Sequence, residues 1–416
     1  MSFCAIDFGT SNSAVALPEH AGIRLATLEG TQPTMPTAVF FNADENSQAF
    51  GRAAIAAYID GYDGRLMRSL KSILGSPLLE SATDIGGGRS MRYLDVIATF
   101  LRQLKHTAEQ HARHPIERVV LGRPVFFVDD DPASDAAAQR SLTEAARQVG
   151  FKDIEFQFEP IAAAFDYESR LETEQLVLVA DIGGGTSDFS LVRVGPQRMR
   201  QLERKSDVLA HYGVHVAGTD FDRRVEMATI LREMGYKTIG TDAREIPNGV
   251  YFDLATWHLI NTIYGPKRSA EIRLMRHLYA DPIHHDRLMR TVTQRLGHAL
   301  AGCAEDAKIA VAAGSATRID LELLEEDLSL AFDEHGLIES TREETQRIVA
   351  AATHTARAAG VAPQAIDALY FTGGSTGLRF LSNALAAAFP NALPVAGDRL
   401  ASVATGLGIH ARRIFS

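Results

Sequence analysis

A duplicated α/β chain is the fold class the sequence predicts, and three observations predict it. Near the start, apolar Phe3 and Ala5 lead to Asp7-Phe8-Gly9, a turn-rich Gly9-Thr10-Ser11-Asn12, and a second apolar stretch at Val15 and Leu17. The same design returns as Leu176-Val177-Leu178-Val179-Ala180, then Asp181-Ile182-Gly183-Gly184-Gly185-Thr186-Ser187-Asp188, then Phe189 to Val194. A repeated supersecondary unit is the mark of internal duplication. The chain is also 416 residues long, more than one hydrophobic core serves, since domains hold roughly 50–250 residues.

The elements between these hairpins alternate. Leu94, Ile97, Leu101, Leu104 and Ala108 keep helical spacing, and Val119-Val120-Leu121 reads as a buried strand stopped by Pro124. An amphipathic helix runs through Leu142, Ala146 and Val149 to a C-capping Gly150, and another opens at Glu159-Pro160 and continues through Ala162, Ala163 and Ala164. Farther on, the alternation of Ile319-Asp320-Leu321-Glu322-Leu323 predicts a half-exposed strand. Thr341 with Glu344 predicts a capping box ahead of a helix ending at Gly360. Leu369-Tyr370-Phe371 leads into a third strand-to-glycine turn, Thr372-Gly373-Gly374-Ser375-Thr376.

Composition removes whole classes of function. At 46% hydrophobic and 23% charged the chain is of ordinary globular make-up. A net charge of −10 repels nucleic acid and anionic lipid, so neither is expected as a partner. Cys4 and Cys303 are the only cysteines, which fits a reduced cytoplasm and excludes a disulfide framework. The opening Met1-Ser2-Phe3-Cys4-Ala5-Ile6-Asp7 lacks a basic-then-apolar leader, and no run approaches the ~18 apolar residues that span a bilayer. Export and membrane insertion are not expected.

Chemistry concentrates in the two matched hairpins. A polyphosphate needs backbone N–H groups at close range, which glycine permits. Gly9 offers this in one loop and Gly183, Gly184 and Gly185 in the other, with hydroxyls from Thr10, Ser11, Ser13, Thr186 and Ser187. Asp7, Asp181 and Asp188 sit where carboxylates would hold hydrated Mg²⁺ against phosphates, largely through water. One such loop is as well explained by a tight turn; two matched loops are not. Other signals carry less. Gly406-x-Gly408 lacks the strand-helix-strand unit of a dinucleotide fingerprint and reads as a helix with small residues. Gly86-Gly87-Gly88 reads as a surface loop. His284-His285-Asp286 and His106, His111 and His114 lack metal-motif spacing and read as exposed helix histidines.

The segment Ala5 to Ala16 resembles the first phosphate motif of the 70-kDa heat-shock chaperones, and Asp181 to Asp188 resembles the second. Lys71 in Lys-Ser-Ile-Leu-Gly matches that family's catalytic lysine, and Glu159-Pro160-Ile161-Ala162-Ala163-Ala164 is similar to its hinge motif. Gly218-Thr219-Asp220-Phe221-Asp222, Glu305-Asp306-Ala307-Lys308 and Gly373-Gly374-Ser375-Thr376 follow in the family's order. The resemblance implies a two-lobed actin-like ATPase fold, with duplicated ribonuclease-H-like domains and a nucleotide cleft. Lobe I would be residues 1–172 with an insertion at about 39–116, lobe II 173–398 with an insertion at about 217–316, and 399–416 a C-terminal helix returning to lobe I.

By that resemblance the ligands are ATP or ADP with Mg²⁺. The phosphates and nucleoside would be bound by Asp7, Gly9, Thr10, Ser11, Asn12, Asp181, Gly183, Gly184, Gly185, Thr186, Gly218, Thr219, Glu305, Lys308, Gly373, Gly374 and Ser375. Asp7 and Asp181 would hold the metal's waters. Lys71, Glu159, Asp188 and Thr186 would carry hydrolysis, Lys71 orienting the water and Asp188 or Thr186 accepting its proton. Three departures stand out. Ile309 and Gly377 replace the arginines that stack on adenine, Thr219 replaces a glutamate, and the stretch from Phe221 to Glu305 is tens of residues longer. Its aromatics Tyr251, Phe252 and Trp257 read as local core. Ser402 to Gly408 resembles the last helix of the family's ATPase unit, with no peptide-binding domain expected behind it, as in the short, stand-alone YegD-like branch. The function implied is a slow, Mg-dependent ATPase acting as a nucleotide-driven, chaperone-like switch with an unidentified protein client. A small-molecule kinase on the same architecture, and a binding-only module or filament subunit, are the alternatives.

Overall fold

The computed structural model describes residues 3–20, 22–128, 131–397 and 401–415. Met1, Ser2 and the expected boundary at 398/399 lie outside them. The chain divides into two compact units, one comprising Met1–His215, Ala350–Thr376 and Leu385–Ser416, the other Val216–Val349 and Gly377–Ala384. Among the described residues no helix is long and apolar enough to cross a membrane.

The first unit contains two large mixed sheets. Strands β1 (Phe3–Phe8), β2 (Asn12–Pro18), β3 (Ile23–Leu25) and β4 (Thr34–Pro36) begin the first. Small sheets follow, from β5 (Ala38–Asn42), β6 (Gln48–Phe50) and β7 (Gly64–Arg68), and from β8 (Ala82–Gly86) and β9 (Arg89–Arg92). With β10 (Arg118–Arg123) and β11 (Asp153–Phe158) the first sheet runs β11-β10-β1-β2-β3, β4 pairing with β2. The second sheet is built from β12 (Gln175–Ile182), β13 (Ser187–Val194) and β14 (Val208–Val214), and later from β17 (Ala368–Thr372) and β18 (Leu393–Ala396). Between these, in the second unit, lie β15 (Thr317–Asp320) and β16 (Ser329–Phe332).

The duplication read from the hairpins extends to whole sheets. β1 is antiparallel to β2 and parallel to β10, which is parallel to β11. β12 is antiparallel to β13 and parallel to β17, which is parallel to β18. Each aspartate-bearing strand thus ends beside the turn of its own hairpin.

β1 is apolar almost throughout because both its faces are covered. Cys4, Ile6 and Phe8 enter a core with the Tyr93–Ala112 and Pro132–Gln148 helices, while Phe3 and Ala5 enter another. This second core also takes Val177, Val179 and Tyr370 from the other sheet, together with Ile161 and Phe165 of the Glu159–Glu168 helix and Leu407 and Ala411 of the Ser402–Phe415 helix. The two helices therefore share one core with strands of both sheets. They cross closely: a Cβ on Gly406 would lie 1.9 Å from the carbonyl oxygen of Ala162. The Gly406-x-Gly408 pair is thus a packing feature within a helix.

Other expectations hold in detail. Strand β10 ends before Pro124, Gly150 has φ +94° after the helix ending at Gln148, and Gly360 has φ +69° after the one ending at Ala358. Gly86, Gly87 and Gly88 turn the β8–β9 hairpin with φ of +88°, +62° and +71°.

Some expectations fail for local reasons. The strand expected at 319–323 is Thr317–Asp320, because the Asp320 carboxylate accepts the Glu322 N–H at 2.9 Å and turns the chain. The expected capping box is replaced by other partners. The Thr341 hydroxyl donates to the Leu337 carbonyl at 2.7 Å, and Glu344 accepts from Arg224 at 2.6 Å. His285, expected to be exposed, is buried with Nε2 3.0 Å from the Ile272 carbonyl oxygen. Of the long insertion's aromatics, Tyr251 is buried and bonded to the Tyr279 hydroxyl at 2.7 Å, whereas Phe252 is 40% exposed.

Replacing Gly406 with alanine forces a methyl group into the Ala162 backbone, and overpacking of this kind costs about 1–3 kcal/mol. A thermal unfolding curve is expected to shift clearly downward for Gly406→Ala, while Thr405→Ala, one residue away, leaves it nearly unchanged.

Candidate functional site

The β1–β2 turn is held by close backbone packing. A Cβ on Gly9 would lie 2.2 Å from the carbonyl oxygen of Asn12, so no other residue fits this path unchanged. Thr37 braces the loop from behind. Its hydroxyl donates to the Gly9 carbonyl at 2.7 Å and stands 2.9 Å from the Ser13 hydroxyl, and its N–H donates to the Ser11 carbonyl at 2.9 Å. Thr10 and Ser11 are half-buried and Asn12 is exposed at the tip.

The β12–β13 turn is braced differently. The Gly183 N–H donates to the Thr186 carbonyl at 3.0 Å, and the Ser375 hydroxyl donates to the Gly183 carbonyl at 2.7 Å. Gly373, with φ +85°, lies so close that a Cβ would meet the Ile182 carbonyl oxygen at 2.4 Å and Asp181 Oδ1 at 2.6 Å. Sequence placed Gly373, Gly374 and Ser375 beside the nucleotide; within the first unit they support the second loop. Gly184 and Thr186 are half-buried and Gly185 is exposed.

At the feet of both hairpins carboxylates gather around one lysine. Lys71 lies in the short turn Leu70–Ile73 after β7, which the chain enters through Ser69 at φ +54°. Its Nζ is 2.5 Å from Glu159 Oε1, in a pair whose side chains are 9% and 14% exposed. Glu159 opens its helix directly over β10, where a Cβ on Gly122 would lie 3.1 Å from Oε1. Asp7 is the next-to-last residue of β1, and Asp181 and Asp188 face each other across the β12–β13 pairing.

These charges cannot all coexist. Burial, then Glu159 and Asp181, push the Asp7 carboxyl up to about 8 against the pull of Lys71. Burial, then Asp188 and Glu159, push Asp181 up to about 7, again opposed by Lys71. Burial works against the charge of Lys71 itself, but Glu159, Asp7 and Asp188 outweigh it and hold the ammonium above its usual range. Four carboxylates share one compensating cation, and the imbalance raises the proton affinity of Asp7 and Asp181. A small divalent ion suits the same imbalance. All donors are hard oxygens, and among the described residues no three His, Cys, Asp or Glu side chains converge as direct ligands. An ion that keeps its water shell, as Mg²⁺ does, fits this set.

The second unit holds the remaining expected residues. Gly218 and Thr219 begin the Gly218–Ala228 helix, and Glu305 and Lys308 lie on the Gly297–Ala312 helix. Lys308 is buried, with Nζ 2.6 Å from Asp222 Oδ1 and donating to the Gly218 carbonyl at 3.4 Å. Burial, together with Glu305 and Asp220, pushes Asp222 up to about 6 against the pull of Lys308. Thr219, Glu305 and Ile309 are exposed.

Residues 82–248 match the family model described as Hsp70 protein. Over these residues the chain is similar to the Hsp70 family. Chaperone protein DnaK of Thermosipho melanesiensis is 30% identical over 244 residues, an alignment covering 58% of this chain and 37% of that protein. The alignment thus spans little more than a third of that relative's length. The family match takes in Glu159, the second hairpin from Asp181 to Asp188, Gly218 and Thr219; Asp7 and Lys71 lie before it, and Glu305, Lys308 and Gly373 after it.

Several groups around the site had no signal in the sequence. Thr37, Gly122 and His211 reach it through strand register and close backbone approach, which no local pattern encodes.

The raised carboxyls give the protein a pH-dependent stability whose sign is fixed. Asp7 and Asp181 titrate higher folded than unfolded, so their contribution is complete below about pH 4 and is lost as pH rises through about 7 to 8. Without nucleotide or metal, the unfolding temperature is expected to fall from about pH 4 to about pH 8 and to level off above. Asp7→Asn and Asp181→Asn are each expected to flatten that decline in a differential scanning fluorimetry series.

Proposed function

We propose that this chain is a Mg-dependent ATPase of the YegD-like branch of the Hsp70 family, using slow hydrolysis as a conformational switch for a protein client. The two-lobed actin-like arrangement, with lobes at 1–172 and 173–398 and a C-terminal helix at 399–416, is part of the proposal, as is a cytoplasmic location. The observation that carries it is the Lys71–Glu159 pair set among Asp7, Asp181 and Asp188 at the feet of two matched glycine hairpins.

In this reading the Gly9–Asn12 and Gly183–Thr186 loops bind the phosphates through backbone N–H groups and hydroxyls. Asp7 and Asp181 hold the waters of Mg²⁺, which when bound neutralises charge on the β- and γ-phosphate oxygens. Lys71, fixed by Glu159, presents its ammonium to the attacking water and to the charge that develops on the phosphoryl oxygens. Asp188 accepts the water's proton, with the Thr186 hydroxyl beside it. The resemblance also assigns Gly218, Thr219, Glu305 and Lys308 to the nucleoside, and that assignment rests on sequence alone.

Lys71→Ala separates hydrolysis from binding. A group used mainly in the transition state lowers turnover while sparing ground-state affinity. Losing one such electrostatic group costs about 10²–10³-fold in rate. Single-turnover release of labelled phosphate from protein preloaded with Mg-ATP is expected to slow by that factor, with ATP affinity changing far less. Hydrolysis by the variant at the wild-type rate would remove Lys71 from the mechanism; no hydrolysis by either protein would leave a binding-only module.

A further inference from the structure

The proposed proton acceptor, Asp188, has a neighbour that the reading above does not use. On β14, His211 stands opposite Ser190 and Gly213 opposite Asp188. Residues two apart on a strand share a face, so the four lie together on one side of the β13–β14 pair. His211 Nδ1 is 3.0 Å from the Ser190 hydroxyl oxygen, and Nε2 is 3.8 Å from Asp188 Oδ1. A Cβ on Gly213 would lie 2.6 Å from Asp188 Oδ1, so its absence lets the carboxylate lean across β14 toward the imidazole. The His211 side chain is 6% exposed, and its ring packs at 65° against that of Phe126.

The polar contacts choose between tautomers. A serine hydroxyl can donate or accept, whereas a carboxylate only accepts. With Ser190 donating to Nδ1, the ring proton sits on Nε2 and faces Asp188. The opposite tautomer would turn a nitrogen lone pair toward a carboxylate. The favourable arrangement is a Ser190–His211–Asp188 chain in which the third group orients the one doing the chemistry.

We infer that His211 is a positioning residue for hydrolysis: with the ring held by Ser190, its Nε2 faces Oδ1 of Asp188 at 3.8 Å, an electrostatic rather than a hydrogen-bonded contact in this state, and leaves the other carboxylate oxygen to receive the proton of the attacking water. In that step the water oxygen bonds to the γ-phosphorus. The bond from phosphorus to the bridging oxygen breaks with its electron pair left on ADP, and the water's proton passes to Asp188. The inference rests on the ATPase reading. Lys71 and Asp181 also act electrostatically on or from Asp188, so the imidazole's task is orientation, in addition to the charge that Lys71 supplies.

Two measurements on the full chain test it. Imidazole ¹⁵N spectra at pH 8 are expected to show His211 protonated at Nε2, a preference that weakens in Asp188→Ala; a ring protonated at Nδ1 overturns the inference. In single-turnover phosphate release, His211→Leu is expected to be slower by about 10-fold or more, the scale on which orienting partners act, with ATP affinity within about twofold. His211→Gln, whose amide donates toward Asp188, restores most of the rate. Wild-type speed in His211→Leu, or a Gln variant as slow as Leu, overturns the positioning role while leaving the ATPase reading intact. A wild-type protein that releases no phosphate overturns the ATPase reading, and the role of His211 falls with it.

Discussion

The structure depends most on the contact between Lys71 and Glu159, a nearly buried ion pair that closes a group of carboxylates drawn from distant parts of the chain. Like charges held in a poorly solvated place repel strongly, so such a group persists only if something offsets it. One lysine offsets part, and the carboxyls of Asp7 and Asp181 are pushed upward by the remainder. Small residues make the crowding possible: Gly122 passes beneath Glu159, Gly213 makes room for Asp188, and Gly373 for Asp181.

The cluster stays in place because its supports are rigid. Asp7 and Asp181 are the next-to-last residues of β1 and β12, in two sheets that share one core through the Glu159–Glu168 and Ser402–Phe415 helices. The first of these helices also carries Glu159 itself, so packing at Gly406 and positioning of the ion pair involve the same element. At the helix's other end Glu168 is fully buried and receives two hydrogen bonds from Arg204, at 3.0 Å and 2.8 Å. Arg204 in turn pairs with Asp207 just before β14. Both ends of this helix are therefore tied by charge, with apolar packing between, which is the supporting shell that a site tuned to sub-ångström geometry needs.

What the sequence made legible follows the range of the interactions involved. The two hairpins, the buried strands and the helix ends at Gly150 and Gly360 were readable because turn chemistry and apolar spacing are local. The same rules misled where a competing contact intervened: Asp320 turned its own strand early by accepting the Glu322 N–H, and Glu344 was taken by a distant partner, Arg224. Lys71 could be found only through resemblance, since a lysine in a short turn has no pattern of its own. His211, Thr37 and Gly122 stayed hidden because cross-strand register and backbone approach place them, and neither is written in neighbouring residues.

The proposed Mg-ATP site requires that Asp7 and Asp181, whose carboxyls burial and their acidic neighbours raise, lose protons when the ion binds. Isothermal titration calorimetry of Mg-ATP binding near pH 7, repeated in buffers of different ionisation enthalpy, measures this directly. The account predicts net release of about one proton per nucleotide bound, because metal binding to a protonated site expels protons. In Asp7→Asn or Asp181→Asn that release should diminish. Tight binding with no proton exchange, or with equal affinity in the presence of EDTA, would contradict it.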